Sequence, residues 1–326
     1  MSGPARSRTN AGKYTPLVTV VLRTSGLTKV FDRLTAVQDL DLEVAEGEVF
    51  GFLGPNGAGK TTTLRLLCAL IAPTRGSAEV AGFRLGTDDA QIRAAVGILT
   101  EQPGLYERQT ALENLLFFGA LFGLTPATAR AQAEKYLRLM GLWDRRDEAV
   151  ITYSRGMKQK VAIARAALHE PRIIFLDEPT TGLDPDAART VREFIEQIRG
   201  EGRTVFLCTH NLDEADRLCD RIAFFRRTVI RIDTPARLRA ELYGHTTEFR
   251  LMPHPRPDDL SRVRTIAGVS DARSENGSIL VSSADPLATN PRVIRALVDA
   301  GAELAYVTER RASLEDVYLR IVEEHP

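Results

Sequence analysis

Gly54-Pro55-Asn56-Gly57-Ala58-Gly59-Lys60-Thr61 reads GxxxxGK[ST], after the apolar run Val49 to Leu53 and before a helix-patterned stretch from Thr62 to Ile71. Residue types at that spacing make a phosphate-binding loop. Glycines let backbone N–H groups turn inward around phosphate oxygens, Lys60 supplies an ammonium to the β and γ phosphates, and Thr61 offers a hydroxyl to Mg²⁺. The candidate nucleotide-binding run is Gly54 to Thr61 together with Thr62.

A second constellation lies downstream in Arg172-Ile173-Ile174-Phe175-Leu176-Asp177-Glu178, an apolar run that ends in two carboxylates. Buried parallel strands read this way and present charge to a ligand at their carboxyl ends. Asp177 is the candidate metal carboxylate. Glu178, displaced by one residue and so in direction, is the candidate that polarises a water attacking the γ-phosphate. Taken singly, an Asp-Glu pair is more often a solvated strand end; downstream of a phosphate loop it reads as chemistry.

Between the two stands Tyr153-Ser154-Arg155-Gly156-Met157-Lys158-Gln159-Lys160, and after them come Gly182-Leu183-Asp184 and Thr209-His210. The ordered set, over about residues 19 to 242, resembles the ATP-binding subunit of ABC transporters. The YSRGMKQK segment and the closing Ser313-Leu314-Glu315-Asp316-Val317-Tyr318 look like the subunits that partner ABC-2-type membrane proteins, mostly exporters. The fold implied is α/β, a P-loop NTPase of ABC type with a mixed sheet core, an antiparallel β subdomain and a helical subdomain, followed by a small C-terminal α+β domain.

The resemblance implies how the parts work. Ser154 and Gly156 belong to a helix N-terminus that faces ATP held by a partner subunit, combining a hydroxyl, free N–H groups and a positive helix end. Two chains, expected as a homodimer, then enclose two ATP molecules with Mg²⁺. Asp184 is implied in the loop linking the two sites, His210 touches the γ-phosphate and holds the attacking water, and Phe31 stacks on adenine. The partner powered is an integral membrane permease subunit, which would hold this chain on the inner face of the cell membrane from the cytoplasm.

Two positions depart from the family pattern. The usual metal-sensing glutamine aligns with Glu101 in Leu99-Thr100-Glu101-Gln102-Pro103; a carboxylate can reach a metal but adds charge beside a phosphate. Arg155 and Met157 stand where glycine and glutamine are commoner; Arg155 either adds positive charge near the phosphates or points to solvent, and the latter is the expectation.

The chain has 326 residues, enough for one large domain and an accessory one. Lys+Arg and Asp+Glu both number 43, and that balance disfavours a general nucleic-acid binder. The longest apolar run, Leu115 to Leu124, is about half of what spans a bilayer. No signal peptide is expected, since no apolar core precedes Leu17. Cys68, Cys208 and Cys219 are odd in number and far apart, and read as small buried apolar residues.

Three domains are expected: a disordered tail over 1–16, an ATPase domain over 17–243 with a helical subdomain at about 105–168, and an accessory α+β domain over 244–326. Val18 to about Arg93 reads as antiparallel strands joined to the phosphate loop, and Thr110-Ala111-Leu112-Glu113 is a capping box. Leu115 to Phe122 covers more than one stripe of a helix, which fits either an internal core or a face shared with a partner. The C-terminal region reads strand, helix, strand, strand, helix, strand, helix, with its second helix starting at Pro291 and a ferredoxin-like unit as one reading. His254 and His325 are expected at the surface.

Other functions were weighed: a soluble ABC-type ATPase acting on nucleic acid or ribosomes, and a non-catalytic nucleotide-binding scaffold. The neutral charge and single ATPase domain speak against the former, and the presence of Glu178 and His210 against the latter.

Overall fold

The computed structural model describes residues 19–243, 245–310 and 312–324. The expected N-terminal tail and His325 lie outside the described residues. β1 (Val20–Phe31) and β2 (Leu34–Ala45) form a long antiparallel pair with irregular register, including a shift between Thr24 and Leu27. β3 (Val49–Leu53) is buried at every position, as a central parallel strand must be. Its loop opens α1 (Lys60–Leu67), which buries Leu64, Leu66 and Leu67. β4 (Arg75–Val80) and β5 (Phe83–Arg84) complete a four-stranded antiparallel sheet in the order β2-β1-β4-β5. α2 (Asp89–Ala95) follows, a helix in a stretch read from sequence mainly as strands.

β6 (Val96–Leu99) is the outermost parallel strand of the main sheet. The chain then leaves the sheet for three helices. α3 (Ala111–Leu121) starts at the expected capping box, with Thr110 Oγ1 accepting from Glu113 N and Glu113 Oε2 from Thr110 N. α4 (Pro126–Leu139) is capped by Thr125, and α5 (Arg155–Ala167) by Ser154. On α3 and its C-cap, Leu115 is fully buried while Phe117, Leu121 and the capping Phe122 are exposed, so the apolar surface is divided between core and solvent.

His169, just past α5, ties this helical region to the main sheet. Its ring stacks on Phe122 at 3.8 Å between centroids, and Nε2 donates to Val96 O at 3.1 Å. Nδ1 is buried without a partner. Burial, and secondarily the charge of Arg203, push its pKa down from 6.5 to about 4 against the opposing Val96 bond. The folded state therefore refuses a proton that the unfolded chain takes up below pH 6.5, so this stability is complete above that pH and is lost as pH falls toward 4. His169→Gln should lack this part of the acid loss. Melting temperatures of both proteins between pH 7 and 4 test it, and parallel profiles would count against a neutral His169.

β7 (Ile173–Asp177) returns to the sheet, followed by α6 (Pro185–Gly200), β8 (Thr204–Thr209), α7 (Leu212–Leu218), β9 (Arg221–Arg226), β10 (Thr228–Asp233) and α8 (Pro235–Tyr243). The six-stranded order is β10-β9-β3-β8-β7-β6, parallel except for β10. This order sets the carboxyl ends of β3, β8 and β7 side by side, where ligands bind in open α/β sheets. One core lies between this sheet and the antiparallel one, around Phe50, Phe52 and Phe206; another joins the opposite face to α3, α4 and α5. The three cysteines are free and buried.

The last region contains β11 (His245–Met252), α9 (Pro257–Arg264), β12 (Val269–Glu275), β13 (Ser278–Ser283), α10 (Pro286–Asp299) and β14 (Glu303–Arg310). The antiparallel order β12-β13-β11-β14 with two crossing helices is the ferredoxin-like arrangement. α10 begins at Pro286 under an Asp285 cap and not at Pro291, which lies inside it. α11 (Leu314–Glu324), grouped by sequence with this unit, instead packs Leu314, Val317 and Ile321 into the ATPase core with Leu218, Phe224 and Leu238. His254 is exposed as expected. Among the described residues no helix is long and apolar enough to cross a membrane.

Candidate functional site

A cavity of about 810 Å³ opens over the carboxyl ends of β3, β7 and β8. Pro55, Asn56, Gly57, Ala58, Gly59, Lys60, Thr61 and Thr62 line it, with Asp177, Glu178, His210, Glu101 and Phe31 around them. Gly54 lies just beneath and gives its carbonyl to Lys60 Nζ at 2.6 Å. A side chain on Gly59 would collide with the carbonyl of Ala36, and one on Gly54 with that of Phe225, so the loop's path needs glycine at both positions.

Asp177 ends β7 almost fully buried, and its Oδ2 accepts from Thr61 Oγ1 at 2.7 Å. Burial raises its pKa; the Thr61 bond opposes this, the Glu178 charge adds to it, Lys60 opposes it, and Glu101 adds last. Glu178 follows at φ 49°, a strained conformation for a side chain of this size. Its Oε2 accepts from His210 Nδ1 at 2.8 Å and from Thr181 Oγ1 at 3.0 Å. Its Oε1 is buried without a hydrogen bond, 3.3 Å from Lys60 Nζ. Burial works to raise the Glu178 pKa, but the His210 bond and the Lys60 charge outweigh it and hold the carboxyl below its ordinary value.

Both halves of a nucleotide fit this chain. Gly57 and Gly59 turn the loop at positive φ, and Lys60 supplies buried positive charge to phosphates. Among the described residues no cluster of three His, Cys, Asp or Glu could hold a metal ion. A Mg²⁺ site needs none, because one carboxylate, a hydroxyl, phosphate oxygens and water complete an octahedron; Asp177 and Thr61 could supply that protein share.

Ser154, Gly156 and Asp184 are not brought into this cavity. Ser154 Oγ accepts from Met157 N at 3.2 Å as the cap of α5, and Asp184, expected in a loop, is the cap of α6, accepting from Ala187 N at 2.9 Å. The two helix starts adjoin, since a Cβ on Gly156 would meet Asp184 Oδ2 at 3.6 Å. Ser154 and Asp184 are exposed. Arg155 is exposed as expected, but it also lines the cavity, lies against the backbone of Gly182 and donates from Nη2 to Thr181 O at 3.4 Å. Phe31 is 44% exposed, with Lys29 Nζ 4.9 Å from its ring centroid. Sequence reasoning passed over Thr181 and Gln159, whose Nε2 donates to Pro179 O at 3.3 Å. Thr181, three residues beyond Glu178, could have been found from that spacing.

The family model described as ABC transporter matches residues 37–181. The daunorubicin/doxorubicin resistance ATP-binding protein DrrA of Streptomyces peucetius is 35% identical over 310 residues, covering 94% of each chain. The chain belongs to the ABC transporter ATP-binding family. The Nod factor export ATP-binding protein I of Paraburkholderia xenovorans is also 35% identical, over 90% of this chain and 94% of its own. A dimeric ATP-binding cassette solved in a post-hydrolysis state with ADP and Pi superimposes with a TM-score of 0.60 at 28% identity, over 65% of this chain and 98% of the cassette. The chain is thus an ATPase of the exporter group that binds ATP and hydrolyses it to ADP and phosphate.

Proposed function

We propose that this chain works as one of two copies that close on MgATP and drive a separate membrane permease in the direction of export. Lys60 and the amides of the Gly54–Thr61 loop hold the phosphates, Thr62 continues that run, and Phe31 meets the base. Thr61 and Asp177 hold Mg²⁺, which when bound offsets phosphate charge. Glu178 is ionised at neutral pH because its pKa is held low, and its Oε1 takes a proton from the attacking water. His210 and Thr181 occupy Oε2, so Oε1, paired with Lys60 at 3.3 Å but without a hydrogen bond, is the oxygen that meets water once Lys60 turns to phosphate. That buried Oε1 without a hydrogen bond is the observation that carries the mechanism.

Ser154, Gly156 and Asp184 serve the ATP of the second copy. Ser154 and Asp184 are exposed, none of the three lines its own chain's cavity, although Arg155 beside them does, and the dimeric relative supports the pairing. The permease docks beside Glu101, against the exposed Phe117, Leu121 and Phe122 of α3, and holds the chain on the cytoplasmic face of the membrane. Residues 245–310 form an accessory domain, tied to the ATPase core by α11. Export rather than import rests on the relatives named for Nod factor export and daunorubicin/doxorubicin resistance.

Purification from membranes with the attached protein tests the partnership, and Glu101 tests the coupling. Glu101→Ala should lower the permease-stimulated ATPase rate by about 5-fold or more while basal activity changes less. Equal losses would confine Glu101 to the chemistry.

A further inference from the structure

Among the non-glycine residues with positive φ, Glu178 and Arg227 are the two that line the cavity, among the described residues. Thr228 pairs with Arg226, so Arg227 alone makes the turn between β9 and β10, at φ 65°. Glycine would occupy that conformation without strain. The turn is clamped in place: Arg227 N donates to Ala58 O of the phosphate loop at 2.9 Å, and its carbonyl accepts from Gln38 N of β2 at 2.7 Å. The preceding Phe225 carbonyl fills the space a side chain on Gly54 would need, so hairpin and loop are in direct contact.

The Arg227 side chain is exposed and, among the described residues, has no hydrogen bond, ion pair or ring contact of its own. Its backbone partners place it on the flank of the cavity made by β2, where Thr35 and Ala36 also line the wall. Glu178 and His210 follow directly on other strands, β7 and β8. A guanidinium offers a planar cation that pairs with phosphate and stacks on an aromatic ring.

We propose that Arg227 is a nucleotide-contacting residue, meeting the nucleoside and α-phosphate side that ATP and ADP share. The proposal rests on reading the cavity as the ATP site. It accounts for a strained side chain where the turn itself asks for none.

Calorimetry with MgATP and MgADP on wild type, Arg227→Gly and Arg227→Lys tests it, beside melting temperatures. Arg227→Gly should bind both nucleotides more weakly by the same factor, roughly tenfold, with Arg227→Lys between it and wild type. Its melting temperature should hold or rise by about 2–4 °C as the strain is relieved. Unchanged affinities, a loss for ATP without one for ADP, or weakened binding with a lowered melting temperature would each overturn the assignment. Wild-type protein that fails to bind either nucleotide would overturn the reading of the cavity itself.

Discussion

Glu178→Gln should turn ATP over about 10²- to 10⁴-fold more slowly than wild type while still binding it. Glutamine keeps the volume and an oxygen to accept from His210 Nδ1, so the loop after β7 keeps its shape. It loses the negative charge that takes the water's proton. It also frees Lys60 from the carboxylate 3.3 Å away, leaving the ammonium available to phosphate. Bound ATP that cannot be hydrolysed should hold two chains closed, so the variant accumulates as a dimer. Adding Ser154→Arg to the same chain puts bulk and charge at the exposed start of α5 and removes a cap worth about 1 kcal/mol, without touching the phosphate loop. ATP binding should survive and dimerisation should not. Light scattering with and without ATP, beside calorimetry, reads both. A double variant that still dimerises would remove Ser154 from the composite site; one that no longer binds ATP would return it to its own chain's pocket.

The candidate site cluster is legible in the sequence because each part is local: a loop after one strand, two carboxylates at the end of another, a histidine just past a third. A parallel sheet then has little freedom but to present those ends together. Features set by tertiary choice were not legible. The stripe Leu314, Val317, Ile321 announces an amphipathic helix but does not say which core it joins, and α11 chose the ATPase side. Pro291 read as a helix start because an interior proline leaves the carbonyl four residues back without its donor. Here that carbonyl belongs to Leu287, a residue 90% exposed, so water can supply the bond. Arg155 found its place over Gly182 because the absent side chain there makes room, a contact between residues far apart in sequence. Arg227 could not be found from its neighbours, since only the one-residue turn brings it to the loop.

Lys60→Ala should cut MgATP affinity by about 100-fold or more, the scale of a buried charge-assisted contact to phosphate. Lys60 is only 6% exposed, and its ammonium already lies between the Gly54 carbonyl and Glu178 Oε1. Alanine removes the cation but none of the packing beneath it, since Leu64, Leu66 and Leu67 hold α1 to the sheet. The fold should therefore persist, with Glu178 losing one of the influences that keep its pKa low. Lys60→Arg should not restore binding, because a planar guanidinium with its donors in a fixed fork does not replace the compact ammonium between the Gly54 carbonyl and Glu178 Oε1. Calorimetry measures the affinity, and circular dichroism with thermal melting verifies the fold. A folded Lys60→Ala protein that binds MgATP as wild type does would mean that the phosphates do not rest on Lys60; among the described residues the other lysine lining the cavity, Lys158, is engaged with Glu107 at 2.6 Å.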